Sequence, residues 1–303
     1  MVDITHKIFS QRIAIAQAIV CVGSEETITA IKEHRVPKGD VLSVARTAGL
    51  FAAKKTSDMI PDCHPLPIEY TKIDFELIDK EIKIVVEIKT IYKTGVEVEA
   101  MHASSVVALT IYDMLKPIDK NVSIKEIKLL EKKGGKSELK SLGADQLTAS
   151  IIVCSDSVSA GNSEDKSGPI IQEYLQKIGF KELSLKVVPD HIESIQDQIL
   201  ESVSHKINLI ILSGGTGLSP KDFTPEAIEP MLHKRISGIE ETLRAYGQNR
   251  MPYAMLSRSM AGLIDQTLIL ALPGSPAAVK ESMDCIFPQV LHVFKVLKGE
   301  RHN

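Results

Sequence analysis

The stretch Leu209-Ile210-Ile211-Leu212-Ser213-Gly214-Gly215-Thr216-Gly217 decides how the second half of this chain folds. Four large aliphatic residues in a row, with no polar alternation, read as a strand covered on both faces. The glycines that follow allow a tight strand-to-helix turn, because Gly adopts positive φ without steric cost. Comparable apolar runs stand at Ala149–Val153, Leu185–Val188 and Leu268–Leu272, each followed by a polar loop and a segment of helical period. That alternation predicts a mainly parallel sheet with helices on both faces. Ligands of such sheets sit beyond the carboxyl ends of the strands. Here those ends are Ser155-Asp156-Ser157, Pro189-Asp190, Ser213–Gly217 and Pro273-Gly274-Ser275-Pro276.

The first half has another rhythm. Asp40 suits a helix N-cap, and Val41, Ala45, Ala48, Phe51 and Ala52 recur at helical spacing until Pro61 forbids continuation. Residues 70–99 alternate apolar and charged side chains, the mark of antiparallel strands with one wet face. A helix over about Ala103–Leu115 ends before Pro117. This order predicts an α+β, ferredoxin-like layer. A polar stretch from Glu131 to Gln146 lacks apolar periodicity. It sets the expected division at 1–140, a linker at 141–147, and 148–303.

Composition narrows the function classes. A chain of 303 residues exceeds what one core usually serves, and 44% hydrophobic with 25% charged residues excludes disorder and collagen. No run of some 18 apolar residues exists to cross a membrane, and no secretory signal is expected after Asp3. The four cysteines, Cys21, Cys63, Cys154 and Cys285, form no CxxC pair, which fits a reducing, cytoplasmic setting. Net charge is −3; residues 1–148 hold 21 basic and 21 acidic side chains, so the deficit lies in the second half. Neither nucleic acid nor membrane is an expected partner.

Several first-half segments carry chemistry. Glu97 and Glu99, two apart on a segment read as extended, should present both carboxylates on one face. Asp113 and Lys116 are three apart on a helix, where a carboxylate can hold and tune an amine for proton transfer. Gly134-Gly135-Lys136 would let backbone approach a phosphate, with Lys136 and Lys38 as point charges. Cys63-His64 could be part of a metal site or simply structural, and Asp40 could be only a cap.

Pro37-Lys38-Gly39-Asp40, Asp62-Cys63-His64-Pro65-Leu66, Gly95–Ala100, Tyr112–Lys116 and Gly134–Ser137 stand together in one order. Residues 1–139 thereby resemble cyclic pyranopterin monophosphate synthase. The resemblance implies ferredoxin-like subunits assembled as dimers into hexamers, with sites at subunit interfaces. It implies catalysis by Asp113, Lys116 and Lys38, and substrate binding by Asp62, Cys63, His64, Val98, Glu99 and Lys136. The implied reaction turns 3′,8-cyclo-7,8-dihydroguanosine triphosphate into cyclic pyranopterin monophosphate and pyrophosphate. No metal is firmly implied for this half.

In the second half, Ser213–Gly217 leads to Ser219-Pro220-Lys221-Asp222-Phe223-Thr224-Pro225-Glu226. This is neither a Walker A loop nor GxGxxG, yet its glycines could turn amides toward an anion. Thr224-Pro225-Glu226 reads as a cap with proline at N1. Asp190 and Asp222 could share a Mg²⁺ or could be turn formers. With Met255–Ser259 and Pro273–Pro276 added, residues 148–303 resemble molybdopterin adenylyltransferase. That resemblance implies trimers of a three-layer α/β domain, MgATP as co-substrate, and adenylylation of molybdopterin. Asp190 and Asp222 would be the essential, metal-holding acids, with Gly214, Gly215, Thr216, Gly217, Gly274 and Ser275 around the nucleotide. Asp156, Ser257 and Arg258 would lie near the pterin phosphate. Relatives of this domain that only bind pterin or form trimers leave a non-catalytic module as the alternative. The whole reads as a bifunctional homo-oligomer of molybdenum cofactor synthesis, hexameric or trimer-based.

Overall fold

The computed structural model describes residues 1–135 and 143–299 and divides into two compact units, Met1–Glu138 and Leu139–Asn303. Lys136 and the start of the expected linker, 141–142, lie outside the described residues.

In the first unit the order is β1 (Ser10–Cys21), α1 (Glu25–Lys32), α2 (Val41–Lys54), α3 (Thr56–Met59), β2 (Tyr70–Ile78), β3 (Glu81–Tyr92), α4 (Glu97–Leu115) and β4 (Ser123–Lys133). The four strands pair antiparallel in the order β2-β3-β1-β4. Register places Ala14, Ala16, Ala18 and Val20 opposite Ile88, Val86, Ile84 and Ile82, all fully buried. Small residues on the central strand leave room for α4, whose Ala100, Ala103, Val107, Ala108 and Ile111 join the same core. Asp40 does cap α2, its Oδ1 accepting from the Ser43 amide at 3.0 Å.

One sequence expectation is corrected here. Residues 93–96 leave the strand, and α4 begins at Glu97 rather than near Ala103. Glu97 and Glu99 therefore sit on a helical turn, where two residues of separation point side chains apart. Glu99 is buried at 2% exposure, while Glu97 pairs with Lys132 at 3.3 Å. The alternation of charge and apolar residues continued through Val96–Val98 and imitated a strand.

The second unit runs β5 (Thr148–Cys154), α5 (Asp156–Ser159), α6 (Ser167–Ile178), β6 (Glu182–Val188), α7 (Ile192–Ser204), β7 (Leu209–Ser213), α8 (Thr224–Ile228), β8 (Lys234–Arg235), α9 (Ser237–Gln248), β9 (Met260–Ile264), β10 (Thr267–Leu272), α10 (Pro276–Ile286) and α11 (Val293–Leu297). Its sheet order is β6-β5-β7-β10-β9-β8. The first four are parallel, and β9 and β8 extend the sheet antiparallel. Ala144 and Leu147, just before β5, are buried. Chain direction across the sheet reverses at β5, which lies between β6 and β7; the carboxyl ends of β5 and β7 form the switch point where α/β sheets bind ligands.

Helices α2 and α4 cross closely because Gly49 has no side chain. A Cβ there would stand 2.4 Å from Val107 Cγ2 and 2.7 Å from Ile73 Cδ1. Gly49→Ala should destabilise the first unit by about 1–3 kcal/mol through overpacking, read as a lowered transition in scanning calorimetry.

Candidate functional sites

Lys38 precedes α2, and Asp113 and Lys116 close α4; packing of the two helices brings the three together. Lys38 Nζ donates to Asp113 Oδ2 at 2.7 Å and to its carbonyl at 2.9 Å. Lys116 Nζ lies 2.7 Å from Asp113 Oδ1. Hydrogen bonds from Lys116 and then Lys38 push the Asp113 carboxyl down to about 2. The same contact raises the Lys116 ammonium. One exposed carboxylate thus gathers two lysine side chains, a cationic platform suited to a polyphosphate.

A second group lies at the other end of α4. Cys63 Sγ donates to Glu99 Oε1 at 3.1 Å, and Glu99 Oε2 is buried without a partner. Burial raises the Glu99 carboxyl; burial first, then Glu99, pushes the Cys63 thiol up to about 12. His64 Nε2 is 2.8 Å from the Val2 carbonyl, Asp62 Oδ1 is 3.1 Å from the Met1 amino group, and Val98 is exposed. Fourteen residues of helix separate Glu99 from Asp113, about 20 Å at the rise of an α-helix. The structure therefore gathers the expected residues into two clusters rather than one, and Lys136 lies outside the described residues.

In the second unit the loop after β7 stands between two clefts. One, about 590 Å³ and mostly apolar, is lined by Gly214–Leu218, Tyr246, Tyr253, Ser257, Gly274 and Ser275. The other, about 600 Å³ and polar, is lined by Asp156, Asp190, Asp222, Lys166 and Lys221. The Gly214 and Gly215 carbonyls accept from Thr224 Oγ1 at 2.8 Å and Thr224 N at 3.1 Å. Those of Thr216 and Gly217 accept from Arg258 N at 3.0 Å and Nε at 2.7 Å. Among the described residues, the amides of Gly215, Thr216 and Gly217 donate to no protein acceptor.

Asp190 is buried at 7% exposure; its Oδ1 accepts from Phe223 N at 3.3 Å, and its own amide donates to Asp156 Oδ1 at 2.9 Å. Burial, with Asp222 and Asp156 adding and the Phe223 amide opposing, pushes the Asp190 carboxyl up to about 6. Gly215, at φ +61, is required beside it: a Cβ would fall 2.5 Å from Asp190 Oδ2. Asp222 Oδ2 accepts from Ser219 N at 2.8 Å. Thr224 is not the cap but the first residue of α8, because its hydroxyl is committed to Gly214. Ser275 caps α10, and Ser257 shares a 2.9 Å hydrogen bond with Ser259. Arg258 is occupied by the loop, Nη2 donating to the Asp222 carbonyl at 2.9 Å and Nη1 to Glu226.

Sequence reasoning missed Lys166 and Lys221, cations of the polar cleft; Lys221 was legible in its place next to Asp222. Tyr246 and Tyr253 gave no local signal, since they reach the apolar cleft from the end of α9 and the segment after it.

Known proteins divide the chain at the same place. Residues 1–135 match the MoaC family, and residues 150–292 match the family described as "Probable molybdopterin binding domain". The molybdenum cofactor biosynthesis bifunctional protein of Chlorobaculum tepidum is 40% identical over 302 residues, covering 100% of this chain and 96% of that protein. This chain belongs to the bifunctional molybdenum cofactor biosynthesis proteins. A second such protein, from Synechococcus elongatus, is 37% identical and covered over 98% of its length. The cyclic pyranopterin monophosphate synthase of Clostridium perfringens is 50% identical over 139 residues, 45% of this chain and 87% of that one. A solved Mog protein of molybdopterin biosynthesis from Mycobacterium ulcerans is 38% identical, with a TM-score of 0.48, over 50% of this chain and 99% of its own. The bifunctional family assigns the chain to molybdenum cofactor biosynthesis. Among the described residues no helix is long and apolar enough to cross a membrane, and no three metal-ligating side chains cluster.

The crowding of Asp190 has a measurable sign. Its folded pKa, about 6, lies above the ordinary 3.8, so its charge opposes folding above pH 6 and ceases to do so near pH 4. Asp190→Asn should therefore stabilise the second unit by about 2 kcal/mol at pH 7.5. The gain should fade as pH falls from 6 to 4, followed by urea unfolding.

Proposed function

We propose that the first unit is a ferredoxin-like cyclic pyranopterin monophosphate synthase and the second a molybdopterin adenylyltransferase using MgATP. The β-α-β-β-α-β order with sheet order β2-β3-β1-β4 supports the first fold. The Lys38–Asp113–Lys116 triplet carries the first activity: two ammonium groups on one carboxylate receive the triphosphate, and either can give a proton and then take one back as the purine-derived ring rearranges and pyrophosphate leaves.

This site is completed by a second copy of the chain. Glu99 and Cys63 cannot reach the triplet of their own subunit along α4, while Val98, Met101, Leu109 and Tyr112 expose an apolar stripe on that helix. Two copies packed on this stripe would place the Glu99 cluster of one against the triplet of the other. A hexamer would accommodate both pairs of the first unit and trimers of the second. Asp113→Asn and Glu99→Gln should each abolish conversion of the cyclic triphosphate. Co-expressed, they should restore about a quarter of wild-type activity, since half the pairs are mixed and each mixed pair holds one intact site. No recovery would mean a site within one subunit.

For the second unit the decisive observation is a row of amides without a protein acceptor, in a loop that lines an apolar cleft on one side and a polar cleft with Asp190, Asp222, Lys166 and Lys221 on the other. Amides and lysines bind phosphates, and the apolar cleft accepts a flat heterocycle. The hard oxygens of Asp190 and Asp222 fit Mg²⁺, which when bound neutralises phosphate charge. Molybdopterin phosphate would attack the α-phosphorus of ATP, forming the adenylate and releasing pyrophosphate. Purified full-length protein with molybdopterin and MgATP should form the adenylate, and Asp222→Ala should lower the rate by more than about a hundredfold. Absence of adenylate from wild type would leave a pterin-binding or trimerising module. The use of ATP supports a cytoplasmic setting for this reaction.

A further inference from the structure

Arg258, expected near the pterin phosphate, commits its hydrogen bonds to the loop after β7 and to Glu226, and that arrangement has a stereochemical result. A trans peptide points its N–H opposite to its C=O. Thr224 holds the carbonyls of Gly214 and Gly215, and Arg258 holds those of Thr216 and Gly217. These four bonds turn the N–H groups of Gly215, Thr216, Gly217 and Leu218 away from Thr224 and Arg258. We infer that the Arg258 side chain is a positioning residue for nucleotide phosphate, acting through the Gly217–Leu218 peptide whose carbonyl it holds rather than by touching the phosphate.

Further bonds fit this role. Nη2 on the Asp222 carbonyl and Nη1 on Glu226 fix the far end of the same loop and the start of α8, so one guanidinium spans Gly217 to Glu226. Arg258 is itself anchored: the neighbouring Ser259 carbonyl accepts from Arg244 Nη1 at 3.2 Å. Arg244 and Arg235 in turn grip Glu240, buried at 1% exposure. Lysine cannot replace this fork, since a single ammonium on a flexible stem cannot hold three separated acceptors in one plane.

The inference rests on the nucleotide reading of this unit but not on adenylyl transfer. Full-length wild type, Arg258→Lys and Arg258→Ala would be titrated with the fluorescent N-methylanthraniloyl-ATP plus Mg²⁺, assayed for adenylate, and compared in amide hydrogen exchange. Arg258→Lys should weaken nucleotide binding and raise KM for MgATP by about tenfold, roughly one hydrogen bond's worth, with kcat within about threefold. Exchange should quicken only at the hydrogen-bonded amides of Ser219, Lys221 and Asp222, and the unfolding temperature should stay near that of wild type. Wild-type affinity in Arg258→Lys overturns the inference, as does a loss confined to kcat or exchange that quickens throughout the unit. Wild type that binds nucleotide without forming adenylate refutes the transfer reaction, and the binding comparison still decides the role of Arg258. Wild type that binds no nucleotide refutes both.

Discussion

The placement of β7 between β5 and β10 governs the second unit. Every residue of β7 is buried, and its hydrogen bonds on both edges are parallel, so its register leaves no freedom at the carboxyl end. The chain must emerge beside Cys154 and Leu272 and turn at once, in space that admits no side chain at Gly214 or Gly215. Once that turn is made, Asp222 and α8 follow along the chain, and Asp190, reaching in from the end of β6, packs against Gly215. The first unit has an equivalent constraint in β1, whose alanines let α4 lie close enough to carry both of its clusters.

The two units set a carboxylate in opposite surroundings. Asp113 is exposed between two ammonium groups and is ionised at any pH the protein meets. Asp190 is buried near two other carboxylates, with one backbone amide as its counterweight. The first arrangement leaves a surplus of positive charge at the surface. The second keeps negative charge concentrated where a cation would relieve it.

Much of this was legible in the chain. Uninterrupted aliphatic runs announced the parallel strands, and the loops after them held Asp156, Asp190 and Gly214–Gly217 where the fold put the clefts. The start of α4 was misjudged because Glu97, Glu99 and their apolar neighbours continue a period of two, and no capping side chain marks the helix start. Strands β8 and β9 escaped notice because the β8 pairing is two residues long and β9 contains Ala261 and Gly262. The role of Arg258 was out of reach: its contacts lie about forty residues back along the chain, and local sequence cannot tell a guanidinium that binds phosphate from one that binds carbonyls.

The loop after β7 is held entirely by protein groups behind it, with Thr224 buried and Arg258 half-buried. Its shape is therefore settled before any ligand arrives. A ligand taken up there would require no ordering of that segment, so its association rate would be set by diffusion and charge, with little entropy lost from the chain. Discrimination among ligands must accordingly lie in how long each one stays.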